Sequence, residues 1–356
     1  MSNRLGSKYV VQIFGQSHSP MIGAVIEGLP AGIVPDMDFI RAFMARRAPG
    51  GTLSTARREA DIPRIISGLN DRGETCGAPL CAVIENGDAR SRDYDSLRDV
   101  PRPGHADYTA AVKFGRHNDI RGGGQFSGRL TAPLCFAGAL ALKQLERAGI
   151  RVRARVLSVA GIRDADVDPA HPPMDGLCAG ALPCVDPEAT RRMAEAIEQA
   201  RAGGDSVGGV VECFADGLPA GLGDPMFDGV ENRVAQALFG IPAVRGVEFG
   251  LGFAAAELRG SAHNDAFIVS GGRVVTETNR HGGVLGGITS GMPLVVRVAF
   301  KPTPSIALEQ RSVSLSRGEA APLAVSGRHD PCIVPRAVPV VEAAVACVLY
   351  DLLLND

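Results

Sequence analysis

The chain has 356 residues, 45% hydrophobic and 21% charged, with a net charge of −2, which excludes a disordered or fibrous chain and supplies enough apolar material for a large core. No run approaches the ~20 uncharged apolar residues that a bilayer span needs, and residues 1–9 lack the apolar stretch of a secretory signal, so a cytoplasmic protein with no membrane partner is expected. A pI near 6.4, with no tryptophan and four tyrosines, argues against a nucleic-acid partner.

In chain order, residues 9–14 and 22–27 read as strands, followed by a helix over 36–48 that Asp36 or Asp38 can cap. Residues 80–85 read as a strand, and 127–148 as a long apolar helix closed by Gly149, where left-handed geometry suits glycine. A strand over 151–161 precedes a helix opened by Asp186-Pro187-Glu188 and closed by Gly203. Residues 207–214 predict a strand, 224–239 a helix, 294–300 a strand and 339–353 a last helix; Glu342 and Asp351 mark that most apolar stretch as core rather than membrane.

Three patterns recur in the same order. Glu27-Gly28-Leu29-Pro30-Ala31-Gly32 answers Asp216-Gly217-Leu218-Pro219-Ala220-Gly221, and Gly77-Ala78-Pro79-Leu80 answers Gly291-Met292-Pro293-Leu294. Arg102-Pro103-Gly104-His105-Ala106-Asp107 and Arg328-His329-Asp330-Pro331 each precede a long apolar helix. One domain over 1–356 is expected, with two related halves at 1–150 and 205–356 and a site between them lined by both His-Asp segments. Chance likeness of Gly/Pro turns is the alternative.

Of 37 basic residues only Lys8, Lys113, Lys143 and Lys301 are lysines. Arginine forks suit carboxylates and phosphates, although a GC-rich genome gives the same bias. The eight cysteines (76, 81, 135, 178, 184, 213, 332, 347) form no CxxC pair or zinc spacing and read as small buried hydrophobes in a reducing compartment; no metal is expected. Arg121-Gly122-Gly123-Gly124 leads into a helix, where backbone N–H groups can approach an oxyanion. The cluster Arg46, Arg47, Arg57, Arg58 and Arg64 reads as a solvated basic face or as a lid over a small polyanion. Lys301, at a strand end before Pro302-Thr303-Pro304-Ser305, suits a phosphate or ribityl-type ligand. His18 and His105 lie in polar Gly/Pro-rich loops and can carry protons, whereas His171 reads as structural. No GxSxG elbow supports a serine hydrolase.

Eight segments together resemble the chorismate synthase family: Gly15-Gln16-Ser17-His18, Arg46-Arg47-Ala48-Pro49-Gly50, residues 102–109, residues 121–124, Asp205-Ser206-Val207-Gly208-Gly209, residues 282–287, Lys301-Pro302-Thr303 and Arg328-His329-Asp330-Pro331-Cys332. The resemblance implies an α+β fold, a β-α-β sandwich core with antiparallel sheets and long helices. It also implies a homotetramer and conversion of 5-enolpyruvylshikimate 3-phosphate to chorismate and phosphate by 1,4-anti elimination with reduced FMN. Carried onto this sequence, it makes His18 the proton donor to the leaving phosphate and His105 the keeper of the flavin's protonation state. Asp330 would help remove the ring proton, with Ser17 and Ser127 as relays. Arg46, Arg47, Arg121, Arg129 and Arg328 would hold anionic groups, and Gln125, Phe126, Ser127, Pro242, Ala243, Gly286, Lys301, Pro302, Thr303, Pro304, Ser305 and Arg328 would contact FMN. The chain departs from the family pattern at Gln16 and Ser19, at Gln125-Phe126, and by a shorter segment after Pro49-Gly50. No dinucleotide fingerprint appears, so an outside reductant is expected. A silent flavin- or anion-binding protein on the same fold is the competing reading, against which His18, His105 and Asp330 argue.

Overall fold

In the computed structural model, which describes residues 3–49, 53, 61–87, 97–175, 180, 182–325 and 330–355, two five-stranded antiparallel sheets enclose a layer of helices. The first half runs β1 (Arg4–Leu5), β2 (Val10–Phe14), β3 (Met21–Glu27), α1 (Met37–Arg47), β4 (Arg64–Ser67), β5 (Leu80–Glu85), α2 (Asp107–Lys113) and α3 (Thr131–Arg147). The second runs β6 (Arg151–Val159), β7 (Ile162–Arg163), α4 (Pro187–Ala202), β8 (Gly209–Asp216), α5 (Val230–Phe239), β9 (Val244–Phe249) and α6 (Gly260–His263). It continues through the hairpins β10 (Phe267–Ser270)/β11 (Arg273–Thr276) and β12 (Val284–Leu285)/β13 (Ile288–Thr289), then β14 (Leu294–Phe300), β15 (Gln310–Ser314), β16 (Glu319–Leu323) and α7 (Val334–Leu353).

The sheet orders are β1-β2-β3-β5-β4 and β7-β6-β8-β14-β9, the same plan twice. The recurring turns are built alike. Gly28 and Gly217 have φ of +84° and +85°, and a Cβ on either would strike a carbonyl, that of Lys8 or Gly149. The next turn is closed by buried Thr75 in one half and Thr289 in the other. Thr75 Oγ1 donates to Pro30 O at 2.6 Å and accepts from Ile33 N at 2.9 Å; Thr289 Oγ1 donates to Pro219 O at 2.7 Å and accepts from Leu222 N at 2.9 Å. Strand β6 precedes the expected second half 205–356 and nonetheless pairs with β8 in its sheet.

Helices α3 and α7 cross at the centre, where a Cβ on Gly138 would lie 2.2 Å from Ala343 Cβ. Apolar faces of β3 and β5 (Ile22, Ile26, Leu80, Ile84) close on α3 from one side, and β6 and β8 close on α7 from the other. Ion pairs on buried carboxylates add to this packing. Arg46 grips Glu342 at 2.6 and 3.0 Å, Arg155 bridges Glu212 and Asp164, and Arg233 pairs with Asp351, which also accepts from the backbone of residues 7–9.

The expected strands and helices form, with shifted ends. Helix α3 starts at Thr131 because Ser127 caps a preceding 3-10 turn (Gly128–Leu130) by accepting from Arg129 N. Helix α5 starts at Val230, after Gly229, rather than at 224. Helix α7 starts at Val334, five residues before the expected Pro339. Pro335 fits a first turn because its missing N–H has no helical partner there, and buried Pro339 forfeits one bond without ending the helix. Of the cysteines, Cys135, Cys213, Cys332 and Cys347 are buried, but Cys76 is exposed at a turn, a correction to the buried reading. Burial pushes the Cys135 and Cys332 thiols up to about 12. Among the described residues no helix is long and apolar enough to cross a membrane.

Candidate active site

A cavity of about 530 Å³ opens between the two halves. The first half lines it with Arg47 at the end of α1 and Pro49 beyond it, with Arg102, Gly104, His105 and Ala106 before α2, and with Gly122 and residues 125–129 and 131 leading into α3. The second contributes residues 239–244 from α5 to β9, residues 300, 301 and 303–305 at the end of β14, and Asp330, Ile333, Arg336, Ala337 and Val340 at the start of α7. Thus the C-terminal ends of α1 and α5 and the N-terminal ends of α3 and α7 all meet at the same place.

The glycine run is shaped by its neighbours. Gly122, Gly123 and Gly124 all have positive φ, +59°, +86° and +55°, a region costly for any side-chain-bearing residue. A Cβ on Gly122 would lie 2.4 Å from Ser17 Oγ and 2.9 Å from His18 Nε2; one on Gly123 would lie 3.2 Å from His105 Nε2. The run is therefore the floor on which both histidine loops rest. Ser17 N donates to Gly124 O at 3.1 Å, fixing the first loop to it. Gln16 and Ser19, the departures from the family pattern, close that loop: Ser19 Oγ accepts from Gln16 N at 2.9 Å, and Asn86 Nδ2 donates to Ser19 O at 2.7 Å.

Arg47, Arg102, Arg129, Lys301 and Arg336 line the cavity, and Asp330 faces them. Buried carboxylates hold several of these forks from behind. Asp61, held at a left-handed φ of +46°, pairs with both Arg47 and Arg129. Arg47 Nε also donates to Thr131 Oγ1 at 3.0 Å, and Arg129 Nε to Asn86 Oδ1 at 2.9 Å. Arg102 clasps Asp107 at 2.7 and 2.8 Å and reaches Ser305 Oγ at 3.0 Å. Asp107 in turn lies 2.6 Å from His105 Nδ1. Burial opposes ionisation of Asp107, but hydrogen bonds from Arg102 and His105 outweigh it and hold the carboxyl well below the usual carboxylate range. Arg336 pairs with Asp330 and donates to the carbonyl of Arg47 at 2.8 Å, joining α7 to α1. Burial lowers the Lys301 ammonium, and the charges of Arg245 and Arg102 lower it further, so the group favours an anion beside it.

The structure brings together His105, Gln125, Phe126, Ser127, Pro242, Ala243, Lys301, Thr303, Pro304, Ser305, Asp330, Arg47 and Arg129 at the cavity wall. Ser17 and His18 sit behind Gly122. Four other sequence choices lie outside the lining. Arg46 turns to Glu342, Arg121 to Asp119 at 2.8 and 2.9 Å, Gly286 forms the β12–β13 turn, and Pro302 is exposed. Arg328, His329, Cys178 and the expected lid residues Arg57 and Arg58 lie outside the described residues. His171 is exposed and bonded to Asp168 at 2.9 Å, in keeping with its structural reading. Arg102, Arg336, Asp61 and Asp107 carry no sequence assignment yet organise the site. Arg102 and Asp107 stood in a quoted motif, whereas Arg336 and Asp61 lie in none, and each also joins a distant segment: Arg336 the Arg47 carbonyl and Asp61 the Arg129 fork.

A cation-rich cavity between paired antiparallel sheets, with imidazole and carboxylate groups at its wall, defines an enzyme that moves protons on a polyanionic ligand. The chorismate synthase family pattern matches residues 9–354. A chorismate synthase of Thermococcus gammatolerans is 54% identical over 96% of this chain and 95% of its own, and one of Dehalococcoides mccartyi is 46% identical over 100% and 97%. A crystal structure of chorismate synthase superimposes with a TM-score of 0.76 at 29% identity, covering 98% of this chain and 93% of its own. The chain belongs to the chorismate synthase family, and its activity is that of the lyase that forms chorismate in the shikimate pathway.

Proposed function

We propose that the cavity takes 5-enolpyruvylshikimate 3-phosphate together with reduced FMN and releases chorismate and phosphate by 1,4-anti elimination. The observation that carries this reading is the set of five cationic side chains around a cavity that also holds His105 and Asp330. A substrate with two carboxylates and a phosphate needs several fixed forks, and these five cations outnumber Asp61, Asp107 and Asp330, the carboxylates that pair with them.

The wall also fits a flavin nucleotide. Thr303 Oγ1 is buried with no hydrogen-bond partner among the described residues, beside the half-buried Lys301. Ala243, whose carbonyl accepts from Lys301 N at 3.0 Å, is held at a left-handed φ of +75°, the kind of strain that collects at ligand sites. Lys301, Thr303 and Ser305 would hold its phosphate and ribityl hydroxyls, with Gln125, Phe126, Ser127, Pro242 and Ala243 against its ring. When bound, reduced FMN supplies an electron-rich ring to a reaction that is redox-neutral overall.

Arg47 and Arg129, aligned by Asp61, hold the substrate's anionic groups, with Arg336 beside them. His18, supported on Gly122 and next to Ser17, gives its proton to the departing phosphate oxygen. Asp330, turned by Arg336, stands where a ring proton can be taken, and Ser127 relays it. His105 holds or releases a proton at Nε2 as the flavin's charge requires. Arg46 and Arg121, which lie outside the cavity lining, are left out of the anion set.

The test is anaerobic turnover with chemically reduced FMN, following phosphate and chorismate together. Equal release of both, lost when FMN is omitted, is expected; tight FMN binding without product would favour a silent binding protein. The chain is further read as one domain of two like halves, since both sheets close on one helical layer, working in the cytoplasm as a homotetramer. Exposed Phe253, Phe267, Val269 and Val274, on and beside the β10–β11 hairpin, support self-assembly. Light scattering should give about four times the 37.1 kDa chain mass; a monomer at micromolar concentration would overturn that assembly.

A further inference from the structure

The geometry points to Asp107 as a positioning residue that fixes the tautomer and direction of His105, so that Nε2 is the nitrogen presented to the cavity. This deepens the proposed reading of His105 and rests on it for its role in turnover, though not for the geometry itself.

The carboxylate of Asp107 is gripped by the Nε and Nη2 of Arg102, with its Oδ2 also accepting from Arg102 N at 3.1 Å. An ionised carboxylate only accepts hydrogen bonds. His105 Nδ1, 2.6 Å from Asp107 Oδ1, therefore carries the proton. Arg102 Nη2 lies 3.1 Å from the same nitrogen. A guanidinium only donates, so it cannot bond a protonated nitrogen and acts there as a charge alone. Ser305, from the second half, accepts from Arg102 Nη1 at 3.0 Å and ties the fork in place. With Nδ1 occupied, Nε2 is the lone-pair nitrogen. It faces Gly123, where any Cβ would crowd it at 3.2 Å, so the glycine leaves it uncovered.

Charges about the imidazole come from three directions. Asp107 and Arg102 belong to its own segment, and Lys301 comes from the segment that carries Ser305. The glycine segment on its other side adds uncharged backbone, its Arg121 being paired with Asp119. Arg47, Arg129, Arg336 and Asp330 share the cavity. Of these, Asp107 is the carboxylate bonded to the ring.

The experiment is long-range ¹H–¹⁵N NMR of [¹⁵N]histidine-labelled protein without flavin, with His105 assigned by comparison with His105→Gln. Wild type should show neutral His105 protonated at Nδ1. In Asp107→Asn the amide can donate to Nδ1, so the neutral ring should switch to the Nε2-protonated form. Asp107→Glu should retain the wild-type tautomer. With reduced FMN and substrate, Asp107→Asn should lose about 10- to 100-fold in kcat, the scale for partners that orient a working histidine, with KM little changed and the pH profile displaced. Wild-type His105 protonated at Nε2, or a tautomer unmoved in Asp107→Asn, would overturn the proposal, and the wild-type spectrum decides even if the variant does not fold. Failure of turnover in wild type would sink the functional reading while leaving the NMR result standing.

Discussion

At the residue scale, neighbours in sequence have opposite assignments. Arg46 and Arg47 are adjacent on one helix turn, and about 100° of rotation separates their side chains, sending one to buried Glu342 and the other to the cavity. Substitution should separate them: Arg47→Ala should mainly raise KM, whereas Arg46→Ala should leave KM unchanged and lower stability by about 3–5 kcal/mol, the scale for orphaning a buried charge. Urea denaturation alongside steady-state kinetics reads both, and a raised KM in Arg46→Ala with normal stability would return Arg46 to the anion set. His18→Ala and His105→Ala should each lower turnover about 10²- to 10⁴-fold in a folded protein; near-normal rates in either would remove that histidine from the chemistry. The histidines and Asp330 were legible because their loops form family motifs. Asp61 was not, since its meaning is a contact with Arg129, 68 residues away.

At the element scale, the periodic apolar segments were readable and their ends were not. Hydrophobic spacing marks α3 and α7, but where each begins depends on Ser127 capping a 3-10 turn and on Pro335 fitting a first turn. The edge strand β4 and the small hairpins are short and half exposed, so no apolar alternation announces them. The pair α3–α7 was legible as two core helices but not as a crossing. Gly138 makes that crossing possible, and Gly138→Val should destabilise the protein by about 1–3 kcal/mol or more through overpacking. Thermal unfolding would show it; an unchanged midpoint would mean the helices can part without loss.

At the scale of the whole molecule, several carboxyls stabilise the fold only while ionised. Asp107, Asp119 and Asp265 are held below their ordinary range. Hydrogen bonds and neighbouring cations do this, against burial, which is the largest single influence on Asp107 and Asp265. Because their folded pKa values are depressed, their contribution is present above the ordinary carboxylate range and is lost as pH falls below about 4. Glu231, raised by burial, works in the opposite sense but stands alone among these groups. Urea midpoints should therefore fall between pH 7 and pH 3.5, and a rise would contradict the assignment. The position of the cavity has a further, mechanical consequence. Both halves supply the same parts to it, helix ends from α1 and α3 on one side and from α5 and α7 on the other. A molecule seated there acts as a rivet through a seam, and its affinity adds to whatever holds the halves together, by about 2.7 kcal/mol at a hundredfold excess over Kd.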